Sequence, residues 1–173
     1  YRLPFGEGER FLSHGGPWAA MLGGWQVSGF GTYQSGSPFT AQVLGNTGAT
    51  AGVGSYFALR GNATGQPVSL SDPTIQQYFN TAAFSVPPAG TLGNAGRGTI
   101  PGPPSFNVNM SLDRLLTLSS ERGLRLDVRL TATNIFNTVN FTSLGTVVNA
   151  ITFGQVTGVG PMRTLALSLR FRF

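Results

Sequence analysis

The last eleven residues of the chain, 163–173, alternate between two kinds of side chain. The residues between the apolar ones are small, polar or charged, and they include Arg170 and Arg172. Because successive side chains of a β-strand point to opposite faces, this period of two predicts a strand with one apolar and one polar face. The apolar positions are Leu165, Leu167, Leu169, Phe171 and Phe173.

The length of this strand separates two interpretations. A strand of a soluble sheet turns its apolar face to a core, whereas a strand of a transmembrane barrel turns it to lipid and its polar face to a watery lumen. Eleven residues match the roughly 9–11 of a tilted membrane strand and exceed the usual ~5–6 of a soluble one. The length favours an antiparallel transmembrane β-barrel, with a soluble β-sandwich as the rival.

Two further segments, near 106–117 and 124–134, repeat the alternation and are joined by a short turn at 119–123. They predict an antiparallel hairpin whose polar faces lie on the same side. If Leu118 pairs with Leu124 across the turn, Asp113 lies opposite Arg129, which would be a favourable cross-strand charge pair. The polar positions that we expect to face the lumen are Asp113, Arg125, Asp127 and Arg129, together with Arg170 and Arg172 of the last strand.

A fourth strand is predicted near 25–35, although Gly29 and Gly31 interrupt its pattern, and glycine inside a strand often marks a bulge. Residues 1–4 could be the end of a fifth strand. Four strands and a stub cannot close a membrane barrel, for which about eight strands is the usual minimum. We therefore expect residues 1–173 to be the C-terminal part of a larger outer-membrane barrel.

The connections between these strands alternate in length. Segments 5–24 and 119–123 are the shorter ones, and 36–105 and 135–162 are long and rich in glycine, asparagine, threonine and proline. Outer-membrane barrels have short periplasmic turns and long extracellular loops, so both long connections are predicted to be extracellular. Within the first, 45–65 could be a poorly ordered linker, whereas Phe79, Phe84 and several prolines predict a packed loop over 80–102.

Composition limits the classes of function. The charged fraction of 10% lies far below the roughly 25% of soluble globular proteins, so something other than water is expected to touch much of the surface. The net charge of +5 comes from arginines scattered singly along the chain, without the contiguous basic stripe of a nucleic-acid surface. With Cys 0, disulfides and cysteine metal sites are excluded.

No constellation of residues predicts catalysis. His14 is the single histidine and has no second ligand for a metal, and Glu7 and Glu9 lie in a glycine-rich turn without an acid–base partner. Segment 93–98, G-N-A-G-R-G, lacks the Lys-Ser/Thr ending of a phosphate-binding loop and is interpreted as a turn. We expect no enzyme activity, no cofactor and no metal.

Several motifs, in order along the chain, are similar to one known family. They are G-G-W-Q-V-S-G from Gly23, Y-Q-S-G-S-P-F-T from Tyr33, Y-F-N-T-A-A-F from Tyr78, G-N-A-G-R from Gly93 with Gly102-Pro103, N-I-F-N from Asn134 with Asn140-Phe141, and F-G-Q-V from Phe153. The series resembles the late barrel strands of TonB-dependent outer-membrane receptors, most closely the Oar-like group with carboxypeptidase-regulatory-like N-terminal domains.

This resemblance implies a 22-stranded barrel with an N-terminal plug and uptake driven through the TonB complex. The plug and the TonB-contacting segment are not in these residues. The implied partners are outer-membrane lipid, the remainder of the barrel and plug, and the TonB complex through N-terminal parts only. The last strand also resembles the C-terminal signal read by the barrel-assembly machinery. A structural or adhesive surface protein sharing the barrel is the alternative function.

Overall fold

The computed structural model of the protein describes residues 1–44 and 59–173. The chain divides into two compact units. The sheet unit comprises residues 1–32, 106–138 and 162–173, and the loop unit comprises residues 33–105 and 139–161.

A four-stranded sheet with the order β1-β6-β7-β10 forms the sheet unit. The ends of these strands lie within two residues of the predicted bounds. The two edge strands, β1 and β10, do not pair with each other, so the sheet is open within the part of the chain that the structure describes. The strands are β1 (Trp25–Gln34), β6 (Ser105–Ser119), β7 (Leu124–Thr133) and β10 (Thr164–Arg172).

The predicted stub of a fifth strand lies on the outer edge of β1. Arg2 forms an antiparallel bridge with Gln26. The Leu3 amide donates to the Trp25 carbonyl at 2.9 Å, and the Val27 amide donates to the Tyr1 carbonyl at 2.8 Å. Residues 1–3 therefore satisfy the first polar backbone groups of an edge that would otherwise be open.

The predicted register of the central hairpin is confirmed at Asp113, which lies opposite Arg129. The predicted contact at the turn is wrong, because Leu124 pairs with Ser119 and a register shift lies between Thr117 and Ser119. One extra residue in β6 is accommodated there as a bulge, which leaves the pairing farther along the hairpin unchanged.

Strand β7 ends in a turn that explains the N-I-F-N motif. Asn134 and Asn137 both have positive φ, 51° and 55°, a conformation that asparagine tolerates better than most residues. The buried Asn134 side chain accepts a hydrogen bond from the Thr138 amide and donates one to the Thr138 carbonyl, each at 2.9 Å. The motif is thus a left-handed turn closed by its own side chain.

A short helix, α1 (Pro17–Leu22), precedes β1 and was not predicted. Proline at its first turn and the glycine pair after its end are ordinary signals of a short helix, but the sequence analysis treated this segment only as part of the connection 5–24. No helix in the described residues is long and apolar enough to cross a membrane.

The loop unit has its own hydrophobic core, built from both long connections. Phe79 is fully buried, and its ring packs edge-to-face on Phe153 with centroids 5.3 Å apart and on Phe84 at 6.3 Å. Burial raises the pKa of the Tyr78 hydroxyl beside this cluster. The predicted packing of 80–102 through Phe79 and Phe84 is confirmed. The buried core residues are Ala41, Phe79, Ala83, Phe84, Ala95, Ile100 and Leu144.

In the described residues of the loop unit, 33–44, 59–105 and 139–161, regular structure consists of three two-stranded sheets and one 3₁₀ turn, Thr81–Ala83. Most of the possible linker at 45–65, residues 45–58, lies outside the described residues. Its remaining part includes Leu59–Arg60 and Asn62–Ala63, which belong to paired strands. The sheets are β2 (Gln42–Val43) with β3 (Leu59–Arg60), β4 (Asn62–Ala63) with β5 (Phe84–Ser85), and β8 (Phe141–Leu144) with β9 (Val156–Val159).

Backbone segments approach each other closely at the G-N-A-G-R segment. A Cβ atom on Gly93 would lie 1.8 Å from the Arg60 carbonyl oxygen, so only glycine fits there. The neighbouring Asn94 side chain accepts a hydrogen bond from the Ala63 amide at 2.8 Å, and the Ala95 amide donates to the Gly61 carbonyl at 2.9 Å. The segment therefore packs its backbone against β3 and β4 and forms hydrogen bonds with them, as predicted for a turn rather than a phosphate-binding loop.

Replacing Gly93 with alanine should loosen the loop unit, because the new methyl group forces the Arg60 backbone to move. We expect faster cleavage of Gly93→Ala within 59–105 when the membrane-embedded barrel is treated with protease. Gly31→Ala is the matched control, since its Cβ would meet only the Val108 methyl at 3.6 Å, an ordinary contact. Equal cleavage rates in the two variants would contradict the role of Gly93.

Candidate functional site

The predicted lumen-facing residues share one face of the sheet. Asp113 lies opposite Arg129, Arg170 opposite Asp127, and Arg172 opposite Arg125. Directly opposed residues in antiparallel strands project to the same side, so all six side chains belong to one charged face. The face carries four arginines and two aspartates, Asp113, Arg125, Asp127, Arg129, Arg170 and Arg172.

A chain of polar contacts crosses three strands at Asp113. The Ser28 and Ser111 hydroxyl oxygens lie 2.8 Å apart, linking β1 to β6. The Ser111 hydroxyl donates to Asp113 Oδ2 at 2.7 Å, and Arg129 Nε donates to Asp113 Oδ1. Both Asp113 oxygens are therefore engaged, and the polar face is held together by side chains in addition to the backbone ladder.

The second aspartate forms its ion pair diagonally. Asp127 Oδ2 lies 2.6 Å from the Arg172 guanidinium, although Arg170 is the residue directly opposite. Arg125 and Arg170 have no ion-pair partner among the residues that the structure describes. Two positive charges therefore remain on the face after both aspartates are neutralised.

A concave groove of about 540 Å³ lies along this face. The Arg129 and Arg172 side chains remain 64% and 58% exposed in it, so they can contact a solute or a second polypeptide. Guanidinium groups form bidentate hydrogen bonds with carboxylates and phosphates, so the groove is suited to an anionic group. Its charged lining includes Arg2, Asp113, Asp127, Arg129, Arg170 and Arg172.

The opposite face of the sheet is apolar and exposed. Leu165, Leu167, Leu169 and Phe171 are 54–65% exposed, and Phe173 is fully exposed. On the neighbouring strand they meet Ala132, Leu130, Val128 and Leu126, which continue the apolar surface across the sheet. A surface of this extent on a soluble protein would be an aggregation or interaction site, whereas lipid covers it in a membrane barrel.

One pair of residues reverses the alternation, and the sequence interpretation missed it. Leu115 lies opposite Asp127 and so belongs to the charged face, whereas Arg114 lies opposite Val128 on the apolar face. Extending the period-two pattern of 106–113 by one residue would have found this reversal. An arginine on the lipid-facing side needs local hydrogen-bond acceptors for its guanidinium group.

The other candidate groups remain isolated. His14 Nδ1 lies 3.3 Å from the hydroxyl oxygen of the neighbouring Ser13, and Glu9 lies 3.5 Å from Arg2 at the exposed surface. Over residues 1–44 and 59–173, no three His, Cys, Asp or Glu side chains are grouped closely enough to hold a metal ion.

The Asp113–Arg129 pair should contribute little to stability despite its geometry, because the Arg129 side chain is 64% exposed to water. We expect a coupling free energy of about 0.2–1 kcal/mol from a double-mutant cycle of Asp113→Asn and Arg129→Gln. The measurement is chemical unfolding of the complete barrel in detergent micelles. A coupling of several kcal/mol would show that this face is dry rather than water-filled.

The comparisons with known proteins agree with this geometry. Residues 1–166 match the family model described as an outer membrane beta barrel domain. The match includes β1 to β9 and the beginning of β10. The curated proteins and the solved structures give no match.

Proposed function

The chain belongs to the outer membrane β-barrel domain family, and from this premise we propose that it forms barrel strands of a TonB-dependent uptake receptor of the Oar-like group. Family membership confirms the predicted β-barrel fold class and the location in the cell outer membrane. The barrel strands act in transport and binding, without catalysis.

The observation that carries this proposal is the two-faced sheet with an arginine excess on its polar side. Asp113 and Asp127 each hold one arginine, which leaves Arg125 and Arg170 to interact with something inside the barrel. An anionic solute or acidic residues of a plug would supply the missing partners.

The strand connections support the proposed orientation. Both long connections leave the same end of the sheet, one after Gln34 and the other after Thr133, and the short turn after Ser119 lies at the opposite end. This arrangement is typical of barrels with long extracellular loops and short periplasmic turns. In the proposed receptor, residues 36–105 and 135–162 face the outside and take part in recognising the substrate.

The test of the uptake role is binding of the complete protein to the purified periplasmic domain of TonB. A receptor should bind it and bind more tightly when substrate is present, because the coupling segment would be supplied by N-terminal parts outside residues 1–173. No binding to TonB, with or without medium components, would leave the adhesive alternative as the function. A complete protein with its TonB-contacting segment deleted is the control.

The adhesive alternative has one observation in its favour. The loop unit has an aromatic core of Phe79, Phe84 and Phe153, so the described parts of the long connections around it form a preorganised surface. A preorganised surface favours specific binding because little conformational entropy is lost on contact. The same surface suits the capture of a substrate, so it does not distinguish the two functions.

Deleting Phe173 should reduce assembly of the barrel more than it reduces ligand binding by the barrels that do assemble. In the proposed role, Leu165, Leu167, Leu169, Phe171 and Phe173 form the signal bound by the barrel-assembly machinery. The readouts are surface abundance and heat-modifiable migration on a gel. Replacing Phe173 with tyrosine, which keeps a terminal aromatic ring, is the control, and normal abundance of the deletion variant would contradict the role.

A further inference from the structure

Arg114 is the one charged residue on the apolar face of the hairpin formed by β6 and β7. It lies opposite Val128, between Leu112 and Leu116 on the same side of its strand. Arginine at the lipid-facing midplane of a barrel is strongly destabilising, and the penalty falls steeply toward the interfaces. Its position therefore requires either the edge of the membrane or local partners for its N–H groups.

The structure supplies those partners from α1. One terminal nitrogen of Arg114 donates to the Met21 carbonyl at 2.6 Å, and the other donates to the Ala20 carbonyl. These carbonyls belong to the last turn of the helix, where backbone acceptors lack helical donors. The guanidinium group thus ties the end of α1 to β6.

Trp25 strengthens this link from β1. Its indole N–H donates to the Met21 carbonyl at 3.1 Å, and the Arg114 guanidinium lies 5.6 Å from the ring centroid in a cation–π contact. Two side chains from neighbouring strands therefore converge on one carbonyl of α1. The helix is held beside the first residues of β1, at the end of the sheet opposite the long connections.

The tethered helix exposes only apolar and aromatic side chains. Trp18, Met21 and Leu22 are 63%, 56% and 40% exposed, and Ala19 is buried. No charged residue occurs between His14 and the end of β1. Because tryptophan concentrates at the boundary between headgroups and acyl chains, these exposed residues match a membrane interface better than water.

We infer that α1 is an interfacial helix that binds the phospholipid surface, with Trp18, Met21 and Leu22 at the headgroup–acyl boundary and Arg114 holding it to the barrel wall. Lipid is the occupant that the observations favour, because α1 is tethered by residues of the apolar face, which lipid already covers in an outer-membrane barrel. The inference rests on that location and is independent of the proposed uptake role.

Under the proposed orientation the helix lies in the periplasmic leaflet. The lipids of that leaflet are phospholipids, and the charged guanidinium group of Arg114 would lie level with their phosphate groups. Charge complementarity then adds to the apolar contact, since a guanidinium that already donates to two carbonyls keeps further N–H donors for a phosphate oxygen.

The first experiment measures the depth of α1 in the membrane. A nitroxide spin label is attached to Met21→Cys in the complete barrel, in a background without other cysteines, reconstituted into vesicles of phosphatidylethanolamine and phosphatidylglycerol. Collision rates with oxygen and with a water-soluble nickel chelate report the depth. Ser13→Cys is the water-exposed reference, and Leu167→Cys is the lipid-facing reference.

We expect the label at Met21→Cys to collide more with oxygen and less with nickel than the label at Ser13→Cys, with values approaching those of Leu167→Cys. Collision rates equal to those of Ser13→Cys would place α1 in water and overturn the inference. A label shielded from both reagents would indicate a protein partner covering α1, which would overturn it equally.

The second experiment tests the tether. Arg114→Gln in the labelled Met21→Cys protein should increase the mobility of the label and raise its nickel collisions toward those of Ser13→Cys. Arg122→Gln, in the exposed turn between β6 and β7, is the matched control and should change neither. Unchanged mobility in Arg114→Gln would overturn the role of Arg114, and Arg114→Lys should give an intermediate loss because it keeps the charge without the planar fork.

Discussion

Backbone hydrogen bonding is the constraint on which the rest of this structure depends. In the hydrocarbon of a membrane no water is available for an unpaired N–H or C=O group, and each one left unsatisfied costs several kcal/mol. Strand β7 meets this requirement on both sides, through β6 and β10, and the outer edge of β1 is partly covered by Tyr1–Leu3. The remaining edge of β10 is open in the described residues, so a membrane-embedded barrel needs further strands beside it.

The two faces of the hydrogen-bonded sheet differ in the side chains they carry and in what stabilises them. The apolar face carries one arginine, Arg114, whose guanidinium group donates to α1 carbonyls and lies against the Trp25 ring. The ion pairs of the polar face involve arginines that are more than half exposed, so we expect each pair to contribute little to stability. Arg125 and Arg170 are the arginines of this face that no described aspartate pairs with, and the proposed binding of an anionic partner depends on them.

The loop unit is ordered in a different way, because its long connections lack an extended sheet that would offset their loss of conformational entropy. Aromatic packing around Phe79 supplies the apolar burial, and glycines such as Gly93 permit backbone segments to approach closely enough for hydrogen bonds. The Asn94 side chain of the same motif then accepts a hydrogen bond from the Ala63 amide. The high glycine content of these connections would by itself suggest disorder. In the loop unit, glycines such as Gly93 instead allow backbone segments to pack directly against each other.

The sequence by itself determined the strands, their two faces and the pairing of Asp113 with Arg129, because period-two alternation and cross-strand charge are local properties of the chain. It also predicted the aromatic packing of 80–102. Only the tertiary structure decided that Asp127 pairs diagonally with Arg172, that Gly93 clips onto Arg60, and that Arg114 reaches α1 from the apolar face. Each of these contacts joins residues from separate segments, Arg114 and Met21 being 93 positions apart, and no pattern within one segment specifies which distant backbone will lie beside it.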